Sequence, residues 1–226
     1  MTDSDGPRSP LQLLGALAAD EVEITPTLKH VEVYTMEGLL TLFWHGDPAA
    51  EHVVLTCGGG MGGLLGPAKA IYHDLGEHLW ANHGIATIRV GYRTPNHLPR
   101  CVHDVAAAGD LASRTGARRF VVLGHSFGGA VAVQAGTVLA EHCAGVVTFA
   151  TQSAGCEQAS ALAAPLLLFH GDRDEILPLQ ASEVVKAIAG AGEVVVLPND
   201  GHLLARSGEI MRERLMEWVP DVLGRG

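Results

Sequence analysis

The chain has 226 residues, of which 47 % are hydrophobic and 18 % charged, with 28 Gly and 11 Pro. It is too apolar for a disordered chain, too interrupted for a coiled coil, and long enough for one domain with a real core. Fifteen Lys and Arg against 25 Asp and Glu leave a net charge of −10, which offers no basic footprint to nucleic acid or an anionic membrane.

The four cysteines, at 57, 101, 143 and 156, include no C-x-x-C pair, so neither a disulfide framework nor a zinc ribbon is suggested. The N-terminus, Met-Thr-Asp-Ser-Asp-Gly-Pro, is acidic where a secretory signal carries Lys or Arg. The long uncharged stretch 120–140 is broken by Gly, His, Ser and Gln, a poor membrane span. The expectation is a soluble, cytoplasmic protein, a monomer or homodimer, acting on a small molecule.

Residues 1–26 read as a flexible N-terminal arm with a turn or two of helix near 11–19, and 27–226 as a single domain. The stretches 30–35 and 39–45, separated by Met36-Glu37-Gly38, read as a β-hairpin. Beyond them, short apolar runs at 53–57, 85–90, 120–124, 146–150, 166–170 and 194–198 alternate with amphipathic stretches at 68–83, 101–115, 129–141, 180–191 and 207–222. Parallel pairing needs crossovers of this kind, so the alternation predicts an α/β fold with a mostly parallel central sheet of about eight strands and helices on both faces. In such sheets ligands gather at the carboxyl ends of the strands.

One such end holds Gly124-His125-Ser126-Phe127-Gly128-Gly129, between the apolar run 120–123 and a helical run. A serine in a tight strand-to-helix turn is held in strained geometry, and flanking glycines give it room. Such a serine needs a base, and the base an orienting acid. After the 166–170 strand come Asp172, Asp174 and Glu175; after the 194–198 strand come Asp200 and His202. The topology brings His202 to the same edge as Ser126, and the residues leave the acid open among these four.

Oxyanion donors are expected from the Phe127 N–H and from the glycine-rich loop Cys57-Gly58-Gly59-Gly60-Met61-Gly62-Gly63, where Gly59, Gly60 and Met61 are the candidates. No G-K-[ST] follows that loop, which argues against a phosphate cradle. Tyr92, Arg93, Thr151, Gln152 and Leu203 follow strands and are candidate substrate contacts, and Met61, Phe127 and Leu203 a candidate apolar acyl pocket. Cys57 and Cys156 are placed near the cleft. Twelve histidines invite a metal, with His97, Cys101 and His103 closest in sequence. No H-E-x-x-H or C-x-x-C supports one, so neither metal nor cofactor is expected.

From about His30 onward the chain resembles the α/β-hydrolase superfamily. Gly-His-Ser-Phe-Gly-Gly at 124–129 is similar to the nucleophile elbow of esterases and lipases. His170-Gly171-Asp172-Arg173-Asp174 resembles the H-G-x-x-D segment whose last Asp is the triad acid, which favours Asp174, and Gly201-His202 resembles the terminal G-H that supplies the base. The 58–63 loop is similar to the family's oxyanion loop, with Cys57 where His is common. Only residues 151–164 separate two strands where many relatives insert a cap, so the resemblance implies a small capless serine esterase, of dienelactone-hydrolase-like size but with Ser as nucleophile. The same residues would serve a thioesterase, lactonase, acyltransferase or a non-catalytic binder.

Overall fold

The computed structural model describes residues 7–225. After a short helix α1 (Pro10–Leu13), three antiparallel strands follow, β1 (Ala16–Thr25), β2 (Leu28–Thr35) and β3 (Gly38–His45). Strands and helices then alternate as β4 (His52–Cys57), α2 (Pro67–His83), β5 (Ala86–Gly91), α3 (Leu98–Thr115), β6 (Arg119–His125), α4 (Phe127–Leu139), β7 (Cys143–Phe149), β8 (Leu166–Gly171), α5 (Gln180–Ala189), β9 (Glu193–Leu197) and α6 (Gly208–Leu223). All strands join one sheet in the order β1-β2-β3-β5-β4-β6-β7-β8-β9. Pairing is parallel from β5 through β9 and antiparallel on the β1–β3 side.

The two-residue period of a strand sends alternate side chains to opposite faces. Val53, Leu55, Phe120, Val122, Leu166 and Leu168 meet the core under α3 and α4, whereas Val54, Val121, Leu123, Leu167 and Phe169 meet the core under α2 and α6. Both faces of the central strands are therefore dry, which explains their unbroken apolar sequences. Between β7 and β8 stands only a short 3₁₀ turn, Glu157–Ala161, so no cap covers the carboxyl edge.

Among the described residues the sheet has nine strands, in keeping with the mostly parallel sheet of about eight expected, and the stretch expected as a flexible arm contributes α1 and β1 instead. Residues 1–6 lie outside the described residues. Beyond them, α1 docks on α3: Leu11 N–H donates to Asp110 Oδ2 at 3.0 Å, and His103 Nε2 lies 2.9 Å from the Pro10 carbonyl oxygen. Residues 16–25 form β1, held to β2 by its ladder and by the Lys29–Glu21 ion pair at 3.4 Å. Every side chain of β1 is exposed, so no buried face marks it in the sequence.

Candidate active site

Ser126 sits between the last residue of β6 and the first of α4, with φ 57° and ψ −121°. That is a rare backbone state for a non-glycine residue, and the surrounding packing sustains it. The turn is too tight for side chains beside it. A Cβ at Gly124 would strike the Gly128 carbonyl, and one at Gly129 would strike Thr151 Oγ1. Ser126 N–H closes the turn onto the Phe149 carbonyl at 2.8 Å.

Of the four candidate acids, only Asp174 meets His202, its Oδ2 lying 2.8 Å from Nδ1. Asp174 Oδ1 accepts from the N–H groups of Ile176 at 2.8 Å and Leu177 at 2.9 Å. Burial alone would raise the Asp174 carboxyl, but the Leu177 and Ile176 N–H groups and His202 outweigh it and leave it below its usual value. Asp172 is exposed and accepts from Asn199 N–H, Glu175 is exposed, and Asp200 is committed elsewhere. Asp200 is buried and accepts from the N–H groups of Gly201, Arg206 and Ser207, fastening the His202 loop to the start of α6. Ser126 forms no hydrogen bond to His202 in this structure; such contacts often tighten only with substrate bound.

The glycine loop lies over this turn. A Cβ built on Gly59 would stand 4.0 Å from Ser126 Cβ, and one on Gly60 3.7 Å from Phe127 Cβ. The Met61 side chain is 97 % exposed. Two buried tyrosines anchor the loop from below: Tyr72 Oη donates to the Cys57 carbonyl at 3.0 Å, and Tyr92 Oη to the Gly58 carbonyl at 3.1 Å.

Several expected substrate contacts are structural instead. Tyr92 is the buried loop anchor just described. The Arg93 side chain is buried and pairs with Asp104 and Glu37, so its charge is spent inside the protein. Thr151 is buried against Gly129, its hydroxyl donating to the Gln152 carbonyl at 3.0 Å. The Gln152 side-chain amide donates to the Ala154 carbonyl at 2.7 Å, while its main-chain N–H lies 3.5 Å from the Ser126 carbonyl beside the elbow. Leu203 remains exposed and, with His202, Arg173, Glu175 and Ile176, lines an open depression of about 520 Å³. The apolar trio makes no enclosed pocket, since Phe127 is buried while Met61 and Leu203 face solvent.

The cysteines are buried, and desolvation pushes the Cys57 thiol far up and that of Cys156 up to about 12, which disarms both as nucleophiles. His97, Cys101 and His103 do not converge on a metal position: His103 is engaged by Pro10 and Arg93, and Cys101 Sγ by the Thr94 carbonyl.

Sequence reasoning passed over His125, His170, Asn96 and Tyr72. His170 is buried, its Nδ1 2.7 Å from Ser182 Oγ and its Nε2 3.0 Å from the Leu177 carbonyl and 3.3 Å from Asp174 Oδ2. Both His125 and His170 lie inside the motifs, and that position was their available signal. Asn96, with φ 63°, brings Oδ1 to the Gly60 side of the loop.

The phospholipase/carboxylesterase family model matches residues 100–208. No curated protein matches the sequence. Among solved structures, Est1E from Butyrivibrio proteoclasticus superposes with a TM-score of 0.73 at 17 % identity, over 87 % of this chain and 99 % of that one. Est1E with ferulic acid bound gives 0.70 at 15 %, over 86 % and 99 %. Dienelactone hydrolase from Anabaena variabilis gives 0.69 at 17 %, over 88 % and 96 %. Among the described residues, no helix is long and apolar enough to cross a membrane. Sheet order and the fit to solved hydrolases give this chain the α/β-hydrolase fold, and the phospholipase/carboxylesterase model matches part of it.

Proposed function

We propose that the chain is a serine hydrolase of small carboxylic esters, with Ser126 as nucleophile, His202 as base and Asp174 as the acid that orients it. The observation that carries this reading is the 2.8 Å bond from His202 Nδ1 to a buried carboxylate, on the loop facing a strained serine. With Nδ1–H given to Asp174, His202 Nε2 is the free base. It takes the Ser126 Oγ proton as Oγ attacks the ester carbonyl carbon. The tetrahedral oxyanion lies toward the Phe127 N–H and a loop N–H from Gly59, Gly60 or Met61. Collapse expels the alcohol, which leaves with the proton held by His202. Water, deprotonated by the same imidazole, then releases the acid and restores Ser126. Asp174 stays ionised throughout and stabilises the imidazolium.

The carboxylesterase family match supports an ester as the bond cleaved, and the uncapped edge supports small or extended acyl groups rather than a buried long chain. Turnover of p-nitrophenyl acetate, p-nitrophenyl butyrate and methyl ferulate, with fluorophosphonate labelling, is expected for wild type and absent in Ser126→Ala. Labelling that persists in Ser126→Ala would displace Ser126 as nucleophile. Labelling without turnover of esters, thioesters or lactones would favour a non-catalytic binder.

A further inference from the structure

At the far edge of the sheet, β3 and α2 bring together His45, His73 and Glu77. Each offers one ligand atom, and these atoms all lie within 4.8 Å of one another. His73 and Glu77 are four residues apart on α2 and so share one face of the helix. His45 ends β3 and pairs in register with Thr87 near the start of β5, which places it at the amino ends of the parallel strands. Ser126 leaves their carboxyl ends, so this cluster is separate from the catalytic site.

His45 is 1 % exposed, yet its Nε2 has no hydrogen-bond partner and its Nδ1 stands 3.8 Å from Glu77 Oε1. A buried imidazole so poorly compensated costs free energy unless a further group engages it. The ring fits only because residue 76 is glycine: a Cβ there would stand 2.7 Å from His45 Cγ. Two imidazoles and a carboxylate form a nitrogen–oxygen set suited to a borderline first-row cation, zinc first, with remaining positions for water. Magnesium and calcium require shells of oxygen.

We propose that His45, His73 and Glu77 bind a zinc ion that clasps α2 to the end of β3. His73 and Glu77 are exposed, and their side-chain rotations close the present separations toward the about 3.4 Å between ligands of a tetrahedral zinc ion. Arg89 is the opposing charge. Its guanidinium turns toward the Leu64 carbonyl at 3.4 Å and lies 4.9 Å over the Phe43 ring, but it still acts on His45. Its charge opposes a bound cation and weakens the site.

The test is calorimetric titration of chelator-treated protein with Zn²⁺, in wild type, His73→Ala, Glu77→Ala and His78→Ala. The three substituted residues are exposed, so the variants are expected to fold. His78 faces Asp74 at 3.4 Å and represents the neighbouring pair of possible ligands. Expected are one ion per chain in wild type and His78→Ala, and binding weaker by at least about tenfold in His73→Ala and Glu77→Ala. Zinc at about a hundredfold over Kd raises the wild-type Tm by about 5 °C, a gain absent in His73→Ala and Glu77→Ala. Absence of stoichiometric binding, or binding indifferent to His73→Ala and Glu77→Ala, overturns the proposal. A loss confined to His78→Ala overturns it too, by moving the ion to the neighbouring pair.

Discussion

His125 is tied to the main chain of His202. Its Nε2–H donates to the His202 carbonyl oxygen across 2.9 Å, and the two rings stand 4.9 Å apart. The residue before Ser126 thus holds the loop of His202, which ties the elbow to the C-terminal loop. Burial keeps the His125 imidazole below its ordinary 6.5 despite that bond. The unfolded chain therefore takes up a proton near pH 6.5 that the folded chain refuses. The stability contributed by neutral His125 is complete above that pH and falls as the solution is acidified below it. His125→Asn is expected to lose less stability than wild type between about pH 7 and about pH 5, read from urea unfolding midpoints. Equal losses would show that His125 titrates as it does in the unfolded chain.

Asp174 and Asp172 share one turn, and only Asp174 reaches His202. Asp174→Asn is expected to lower kcat for p-nitrophenyl butyrate by about 10³- to 10⁴-fold with little change in KM, since the imidazole loses its orienting carboxylate. Asp172→Asn should stay within about threefold of wild type, because its contact is with an exposed loop N–H. The reverse ranking would move the acid to Asp172.

Tyr92 reaches the glycine loop from the core. Tyr92→Phe leaves the Gly58 carbonyl without its partner at an otherwise unchanged ring, with an expected cost of about 1–3 kcal/mol in stability. If the loop carries the second oxyanion donor, kcat falls by about tenfold or more while KM for a neutral ester holds. Unchanged kcat in a destabilised Tyr92→Phe would detach this anchor from catalysis.

Arg93 and Asp104 form a buried pair with side-chain exposures of 1 % and 0 %. Arg93→Met strands a buried carboxylate and is expected to lower Tm by about 10 °C. KM values for an acidic and a neutral ester should shift together, because the guanidinium faces Asp104 and Glu37. A selective loss of the acidic ester would return Arg93 to the substrate.

The sequence by itself determined the alternation of strand and helix, the parallel core, the elbow at Ser126 and the two loops carrying Asp174 and His202. These features depend on local periodicity and on glycines that only a tight turn requires, and both are written in consecutive residues. The tertiary structure decided the rest. Residues around the acid left four candidates, and only the fold brings one carboxylate to Nδ1 of His202. Strand β1 exists because the edge of β2 offers it a ladder, although it buries no side chain that would announce it. Tyr92, Arg93 and Thr151 follow strands as substrate contacts do, but the packing of α3, α4 and the glycine loop turns them inward. The His45, His73 and Glu77 cluster joins a strand end to a helix face. Convergence of this kind depends on long-range packing, which consecutive residues do not encode.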